Sequence, residues 1–514
     1  MIRVVAVITA DGCRNPPQLT RFLGELSRMF KKTNLYAASA MALACLGFTF
    51  PSHATEVVAP AAKTEQEAAS LLPAQDMEGN WGGLLAGHLR LNLQVKKSPD
   101  GGYTSVLESI DQGHAMIPVD KLEVSAGHLS LKVAAVHGSY DATWDDKAKA
   151  WVGTWTQGQA LPLTLVRVNG EIPRATRPQE HAIETEPLPY SQELVTFDGA
   201  AAGVQLAGTF SLPQGKGPFP AVVLVAGSGP QTRDEDVEGH KVFLVLSDYL
   251  TRRGIAVLRY DKRGIGKSSG DYEAATTVEF TADAEAAVAY LRSRHDVDVR
   301  HVGLIGHSEG GLIAPAVAAE DAKVGFIVLL AGPAIRGDKL LAQQMYLIGK
   351  ASGLPEEKGV ANRKINGEIF TAIAAAPNEA EARATAVRLY DKAVQEHRVF
   401  GDVDKAKANL PFLTSAWMRY FLGYDPVPTL RRVSVPVLAL NGSLDLQVPP
   451  KEDLEIIKDA LRNDADVTLM ELPKLNHLFQ SASTGTPAEY GTIEETFNAA
   501  ALTILGDWVS AHVK

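Results

Sequence analysis

Within the stretch Val302–Ala319 stands Gly306-His307-Ser308-Glu309-Gly310, a serine with glycine two places to either side. Val302-Gly303-Leu304-Ile305 before it is a short apolar run suited to a buried parallel strand. The small, Ala-rich run Gly311–Ala319 after it suits a helix packed flat on a sheet. Strand, sharp turn and helix would lift the Ser308 hydroxyl clear of a sheet edge and aim the Glu309 N–H at the same reacting atom. A serine at neutral pH is a poor nucleophile; it needs a base, and the base needs an acid to fix its tautomer. Both lie downstream, each just past an apolar run. Val435–Leu440 ends in Asn441-Gly442-Ser443-Leu444-Asp445, and Val467–Leu472 is followed by Pro473-Lys474-Leu475-Asn476-His477. Serine, acid, histidine, each on a loop after a later strand, is the order expected on a parallel sheet of this type. Glu452 and Asp453 are alternatives to Asp445 but fall in the next predicted helix. His512 follows a helical run rather than a strand, which makes it a poor rival to His477.

Acyl transfer also needs two preorganised amides to hold an oxyanion. Glu309 supplies one. The turn Val225-Ala226-Gly227-Ser228-Gly229-Pro230, after the first core strand, offers the Ser228 N–H as the other. A second G-x-S-x-G, Gly266–Gly270, lies several loop residues beyond the run Ile255–Tyr260, and no apolar helix follows it. In a chain with 44 glycines such a repeat arises readily, so Ser268 is expected to shape a loop. The same stretch is no phosphate loop, because Asp261 stands where a Walker A motif has its first glycine. Nor does G-x-G-x-x-G follow its strand directly, since the third glycine is displaced to Gly270.

The elements that must position these residues come in two textures. From Met77 to Val168 short alternating runs (Leu89–Val95, Tyr103–Ile110, Leu129–Val136, Tyr140–Trp144, Trp151–Trp155) predict a small antiparallel β domain over 77–168, a barrel or rolled sheet. Its Trp81, Trp144, Trp151 and Trp155 suit core packing, with a ligand groove as the alternative. Residues 169–190, rich in Pro and Glu, read as a linker. From 191 to 514 a hairpin (Glu193–Phe197, Val204–Leu212) leads into alternating strands and helices. The strands are Ala221–Val225, Ile255–Tyr260, Val302–Ile305, Gly325–Leu330, Val435–Leu440 and Val467–Leu472. This predicts an α/β domain, a mainly parallel sheet with helices on both faces. Between Ile335 and Pro428 no strand-like run occurs. An insertion of roughly ninety residues predicts a helical cap, 335–428, over the strand C-termini.

The chain has 514 residues, 46% hydrophobic and 21% charged, with a net charge of −10. That size calls for more than one domain, and the acidic balance argues against nucleic acid, which needs a basic footprint. Met29-Phe30-Lys31-Lys32, the apolar Leu35–Phe50 and Ser52-His53-Ala54 have the layout of a cleavable signal peptide, about 29–54, with Met29 the expected start. The mature chain would begin near Thr55, with a mobile tail over 55–76, and be periplasmic or secreted without stable membrane insertion. Both cysteines, Cys13 and Cys45, precede the cut, so no disulfide, thiol or zinc–thiolate chemistry is expected of the mature chain. No clustered His ligands appear; no metal and no cofactor are expected.

GSGPQTRDED, GIAVLRYDKRGIGKSSG, VGLIGHSEGG, DPVPTLRRVSVPVLALNGSLDLQVPP and LNHLFQ together resemble the α/β-hydrolase superfamily, most closely bacterial EstD-like, serine-aminopeptidase-like carboxylesterases. The likeness runs over residues 190–514. The β region resembles the accessory domain that precedes the catalytic domain in exported hydrolases of this kind. The resemblance implies an α/β-hydrolase fold, Ser308, Asp445 and His477 as triad, and Ser228 and Glu309 as oxyanion amides. Ala226-Gly227-Ser228 departs from the His-Gly found at this turn in many α/β-hydrolases outside the group. Three functions follow as expectations. The first is hydrolysis of short- to medium-chain esters of a small molecule, with Phe412, Trp417, Tyr420 and Phe421 offering an apolar surface. The second is an aminopeptidase or amidase, with a cap carboxylate such as Glu356, Glu357 or Glu368 holding an amine. The third is a wall- or glycan-binding protein with an inactive hydrolase domain.

Overall fold

The protein is described by a computed structural model covering residues 76–513, apart from 88, 99–101, 111–114, 126, 158, 171, 173–176, 402 and 464–465. The expected signal segment 29–54, both cysteines and nearly all of the tail 55–76 lie outside the described residues. No described helix is long and apolar enough to cross a membrane.

The N-terminal part is a nine-stranded antiparallel sheet: β1 (Gly79–Leu85), β2 (Leu89–Lys97), β3 (Tyr103–Ser109), β4 (Ala115–Pro118), β5 (Lys121–Ser125), β6 (His128–Val133), β7 (Gly138–Asp145), β8 (Ala150–Gln157) and β9 (Gln159–Arg167), in the order β4-β3-β2-β1-β9-β8-β7-β6-β5. The link between the two edge strands bonds to both neighbours, Val119 N to Ser105 O of β3 and Asp120 N to Lys132 O of β6. That draws the edges together into a rolled sheet. Period-two alternation turns Leu91, Leu93, Val95, Leu129, Leu131 and Val133 inward. Trp81, Trp151 and Trp155 are fully buried among them and Trp144 partly so, which makes the tryptophans core rather than a groove.

The segment expected as a bare linker folds in part into α1 (Pro178–Thr185). Proline at its first position costs no hydrogen bond and presets φ, and Ile183 packs into the core of the second domain, so tertiary contact overrides the Pro- and Glu-rich composition.

That second domain is an eight-stranded sheet, order β10-β11-β15-β12-β16-β17-β18-β19. Its strands are β10 (Tyr190–Asp198), β11 (Gln205–Pro213), β12 (Phe219–Val225), β15 (Ala256–Tyr260), β16 (Val297–His307), β17 (Ile327–Leu330), β18 (Val437–Gly442) and β19 (Val467–Leu472); β13 (Asp236–Val237) and β14 (His240–Lys241) form a small separate ribbon. The pairs from β15 to β19 are parallel, and β10 and β11 join antiparallel. Helices α3 (Thr277–Ser293) and α4 (Gly310–Glu320) pack on one face, and α2 (Val242–Arg252) and α14 (Ala499–His512) on the other; each face has its own core, which is why the central strands are mainly apolar where they are buried. The chain runs from β12 out to β15 and back across to β16. The ends of β12 and β16 therefore lie side by side at a topological switch point, where sheets of this type open a crevice.

Between β17 and β18 the described residues form helices and no strand: α5 (Gly337–Ala351), α6 (Glu356–Ala375), α7 (Glu379–Gln395), α8 (Val403–Ala408), α9 (Leu410–Leu413), α10 (Ala416–Gly423) and α11 (Val427–Leu430). They enclose a separate core of Ile365, Ile369, Phe370, Tyr390 and Leu422. Helix α12 (Pro450–Ala460) follows β18 and α13 (Pro487–Tyr490) precedes α14.

Candidate active site

Ser308 sits between β16 and α4 at φ +51°, a left-handed conformation unusual for a residue with a Cβ. The turn is held by Ser308 N to Leu330 O (2.9 Å) and Gly311 N to Ser308 O (2.8 Å). A Cβ on Gly306 would stand 2.0 Å from Gly310 O, and one on Gly310 2.0 Å from Val225 O. Only glycine fits at either place.

Past β18, Asp445 is buried. Its Oδ1 accepts N–H bonds from Gln447 (2.8 Å) and Val448 (2.9 Å), and its Oδ2 lies 2.8 Å from His477 Nδ1. That contact fixes the histidine with Nδ1 as donor and leaves Nε2 free to act as a base. The loops carrying the pair are laced together by Ser443 N to Leu472 O (2.8 Å) and Leu444 N to Leu475 O (2.9 Å). Asn476 Oδ1 shapes the histidine loop by accepting from the amides of Leu478 and Gln480, each at 3.0 Å. His477 is brought to the serine through its neighbour: His307 Nε2 lies 3.0 Å from His477 O, and the two rings are 4.9 Å apart. Ser308 Oγ and His477 Nε2 are not hydrogen-bonded in this structure; such contacts are often loose without substrate and tighten when it binds.

The turn after β12 lies against Ser308, since a Cβ on Gly227 would be 3.1 Å from Ser308 Cβ. Gly227 N donates to Glu235 Oε1 at 2.6 Å, so that amide is spent and the next one, Ser228, is available beside the serine. Glu309 N, at the start of α4, is the second candidate amide. Its side chain is buried and takes three donors: Lys262 Nζ (3.0 Å), Thr277 Oγ1 (2.7 Å) and Trp417 Nε1 (2.7 Å). Helix α10 of the cap therefore reaches the residue next to Ser308. Trp417 stacks on Phe421 (5.5 Å) and leans on Phe412 (6.0 Å), all three half-buried, whereas Tyr420 stacks on Tyr424 instead.

The other sequence candidates lie elsewhere. Ser268 Oγ donates to Asp261 O (2.7 Å) and accepts from Ala207 N (2.9 Å), which ties it into the loop after β15. Asp453 accepts from the amides of Ala334 and Ile335 at the entry to the cap. His512, at the end of α14, bonds Trp508 O and Asp466, just before β19.

Sequence reasoning missed three buried participants: Glu235, Lys262 and His307. Glu235 Oε1 also lies 3.0 Å from His307 Nδ1, so one carboxylate joins the oxyanion turn to the strand that carries the serine. Burial opposes a charge on His307, but Glu235 and the His477 carbonyl outweigh it and raise the imidazole pKa. Glu235 and Lys262 sit in charged runs (RDED, DKRG), of which only DKRG directly follows a core strand, and His307 is the last residue of β16, inside the serine motif.

Residues 238–396 match the family described as serine aminopeptidase, S33. That span includes Ser308 but neither Asp445 nor His477. The esterase EstD of Thermotoga maritima is 31% identical over 309 residues, 59% of this chain and 64% of that protein. An uncharacterised Escherichia coli protein is 26% identical over 262 residues, 50% of this chain and 83% of its own length. A solved Pyrococcus furiosus esterase is 15% identical, with a TM-score of 0.41 over 68% of this chain and 97% of that one. The chain thus spans somewhat less than two thirds of the EstD esterase it matches. Strand order, elbow and sequence likeness agree: the chain has the α/β-hydrolase fold and resembles the EstD-like esterases.

Proposed function

We propose that the protein is a serine hydrolase that cleaves short- to medium-chain carboxylic esters of small molecules. Ser308 Oγ attacks the acyl carbon while His477 Nε2 takes its proton, and Asp445 steadies the imidazolium. The Ser228 and Glu309 N–H groups hold the oxyanion. The alcohol leaves with the proton from His477, and water, activated by the same histidine, releases the acid. The single observation that carries this reading is the Asp445–His477 pair lodged against the residue that precedes Ser308. The export reading rests on residues 29–54 alone, and N-terminal sequencing of the protein from a host periplasm would test it by a start at Thr55.

Esters are favoured over aminoacyl substrates because the cap carboxylates are engaged or on the surface. Glu356 pairs with Lys350, Glu368 with Arg398, and Glu357 is exposed. Buried Glu309 has its three donors already. The family match, described as an aminopeptidase, keeps the second reading in play. Turnover of p-nitrophenyl acetate, butyrate and octanoate, set against aminoacyl-p-nitroanilides, separates the two. The expected result is ester cleavage alone, with Ser308→Ala lowering it on the order of 10⁶-fold and Ser268→Ala keeping it. Cleavage of anilides alone would replace the ester reading, and cleavage of neither would favour a binding protein.

A further inference from the structure

Lys262 lies just beyond β15, with its ammonium buried beneath the oxyanion turn. Nζ is 2.7 Å from Gly227 O and 3.0 Å from Glu309 Oε2, and it stands 4.4 Å over the Phe280 ring. Its side chain is 6% exposed and that of Glu309 1%. A buried ion pair of this kind contributes little net stability, because the desolvation of both charges offsets their attraction. Its placement shows what else it does. Gly227 C=O and Ser228 N–H are the two ends of one planar peptide group. A cation on the oxygen fixes the plane of that group and draws electron density from it, so the N–H at the far end becomes a stronger donor. The same ammonium holds the side chain of Glu309, whose own N–H is the other oxyanion donor.

We propose that Lys262 is a positioning residue of the oxyanion hole: one ammonium sets the spacing of the Ser228 and Glu309 amides and polarises the first of them. The inference rests on the serine-hydrolase reading above. Trp417, bonded to the other Glu309 oxygen, extends the network to the cap, so the seat of helix α10 also bears on the second amide.

The full chain tests this with Lys262→Met, Lys262→Arg and the double variant Lys262→Met/Glu309→Gln. Two readouts are used: kcat and KM on p-nitrophenyl butyrate, and the rate at which a fluorophosphonate labels Ser308. Lys262→Met is expected to lower kcat and labelling by about 10–100-fold, with KM changed less than about threefold. Lys262→Arg should recover part of the loss. Lys262→Met leaves Glu309 as a lone buried charge, which by itself costs stability. The double variant leaves no unpaired charge, so its Tm should return toward that of the unmodified protein while kcat stays low. Full kcat in the folded double variant, or a raised KM at unchanged kcat, would overturn the proposal. Should the unmodified protein cleave no ester, that reading fails by itself. The labelling rates still decide the role of Lys262, and equal rates with and without its ammonium would sink it.

Discussion

Two buried aspartates after β18 have opposite surroundings. Asp445 is served on both oxygens, by two backbone amides and by His477, so its charge is solvated by the protein. Asp453 is served on one: Oδ1 takes the Ala334 and Ile335 amides, while Oδ2 is buried with no partner among the described residues. Burial is the main cause that pushes the Asp453 carboxyl up to about 7, against which the two amides work, with Asp445 and Glu452 adding to the rise. The folded chain therefore keeps a proton that the unfolded chain releases above about pH 4. The stabilisation from that proton is fully present below about pH 4 and is lost as pH rises to about 7. Asp453→Asn carries no such proton. Between about pH 4.5 and 8 the unmodified protein should lose, relative to this variant, on the order of a few kcal/mol. Urea unfolding of both proteins at fixed pH values measures the gap, and a gap independent of pH would contradict the assignment.

At the scale of elements, the elbow is a place where backbone meets backbone. Gly310→Ala must push Val225 O away and with it the end of β12, the strand that carries the oxyanion turn. It should cost about 1–3 kcal/mol or more and reduce ester turnover. Gly367, in the middle of α6, has nothing within 4 Å of where its Cβ would be, and Gly367→Ala should instead gain about 0.5–1 kcal/mol. Thermal unfolding of the two variants side by side checks both signs. The same contrast explains what could be read beforehand. Strands β12, β15, β17 and β18 and the second half of β16 are buried on both faces and so appear in the sequence as mainly apolar runs. Ser308 and Asp445 were legible because each follows such a run, and His477 because it follows β19, a half-exposed strand that still reads as a short, mainly apolar run. Strands β1, β4, β5 and β9 have weaker signals: GNWGGLL is glycine-rich, AMIP has four residues, KLEVS alternates but over only five, and β9 contains Pro162. Lys262 and Glu235 were illegible for a different reason. A charge in RDED or DKRG is ordinarily solvated, and only the crossing from β12 to β15 and back brings these two beneath one turn.

Across the whole molecule, Arg177 and α1 fasten the link from the rolled sheet onto the second domain. Gln179 Oε1 accepts the amides of Thr496 (2.7 Å) and Phe497 (3.0 Å), and Glu180 Oε1 accepts Thr496 Oγ1 (2.6 Å) and Lys241 N (2.9 Å). Arg177 donates to Gly491 O (2.8 Å), Gly239 O (3.2 Å) and Glu238 O (3.4 Å), and the turn between β1 and β2 rests on the same Gly491, whose carbonyl a Cβ on Gly87 would meet at 2.8 Å. One buried guanidinium thus gathers the carbonyls of three residues at the seam between the domains. The segment it grips also touches the acid loop, through Gln447 Nε2 to Tyr490 Oη at 3.2 Å. Arg177→Gln cannot span all three acceptors, and the buried Gly491 carbonyl left without this donor costs about 1–3 kcal/mol. The loss should fall on the seam, because neither Ser308 nor His477 touches Arg177. Limited digestion with thermolysin should then separate the two domains several-fold faster in Arg177→Gln, while Ser308 still labels with a fluorophosphonate at close to the original rate. Equal digestion rates would mean that Arg177 does not fasten the seam.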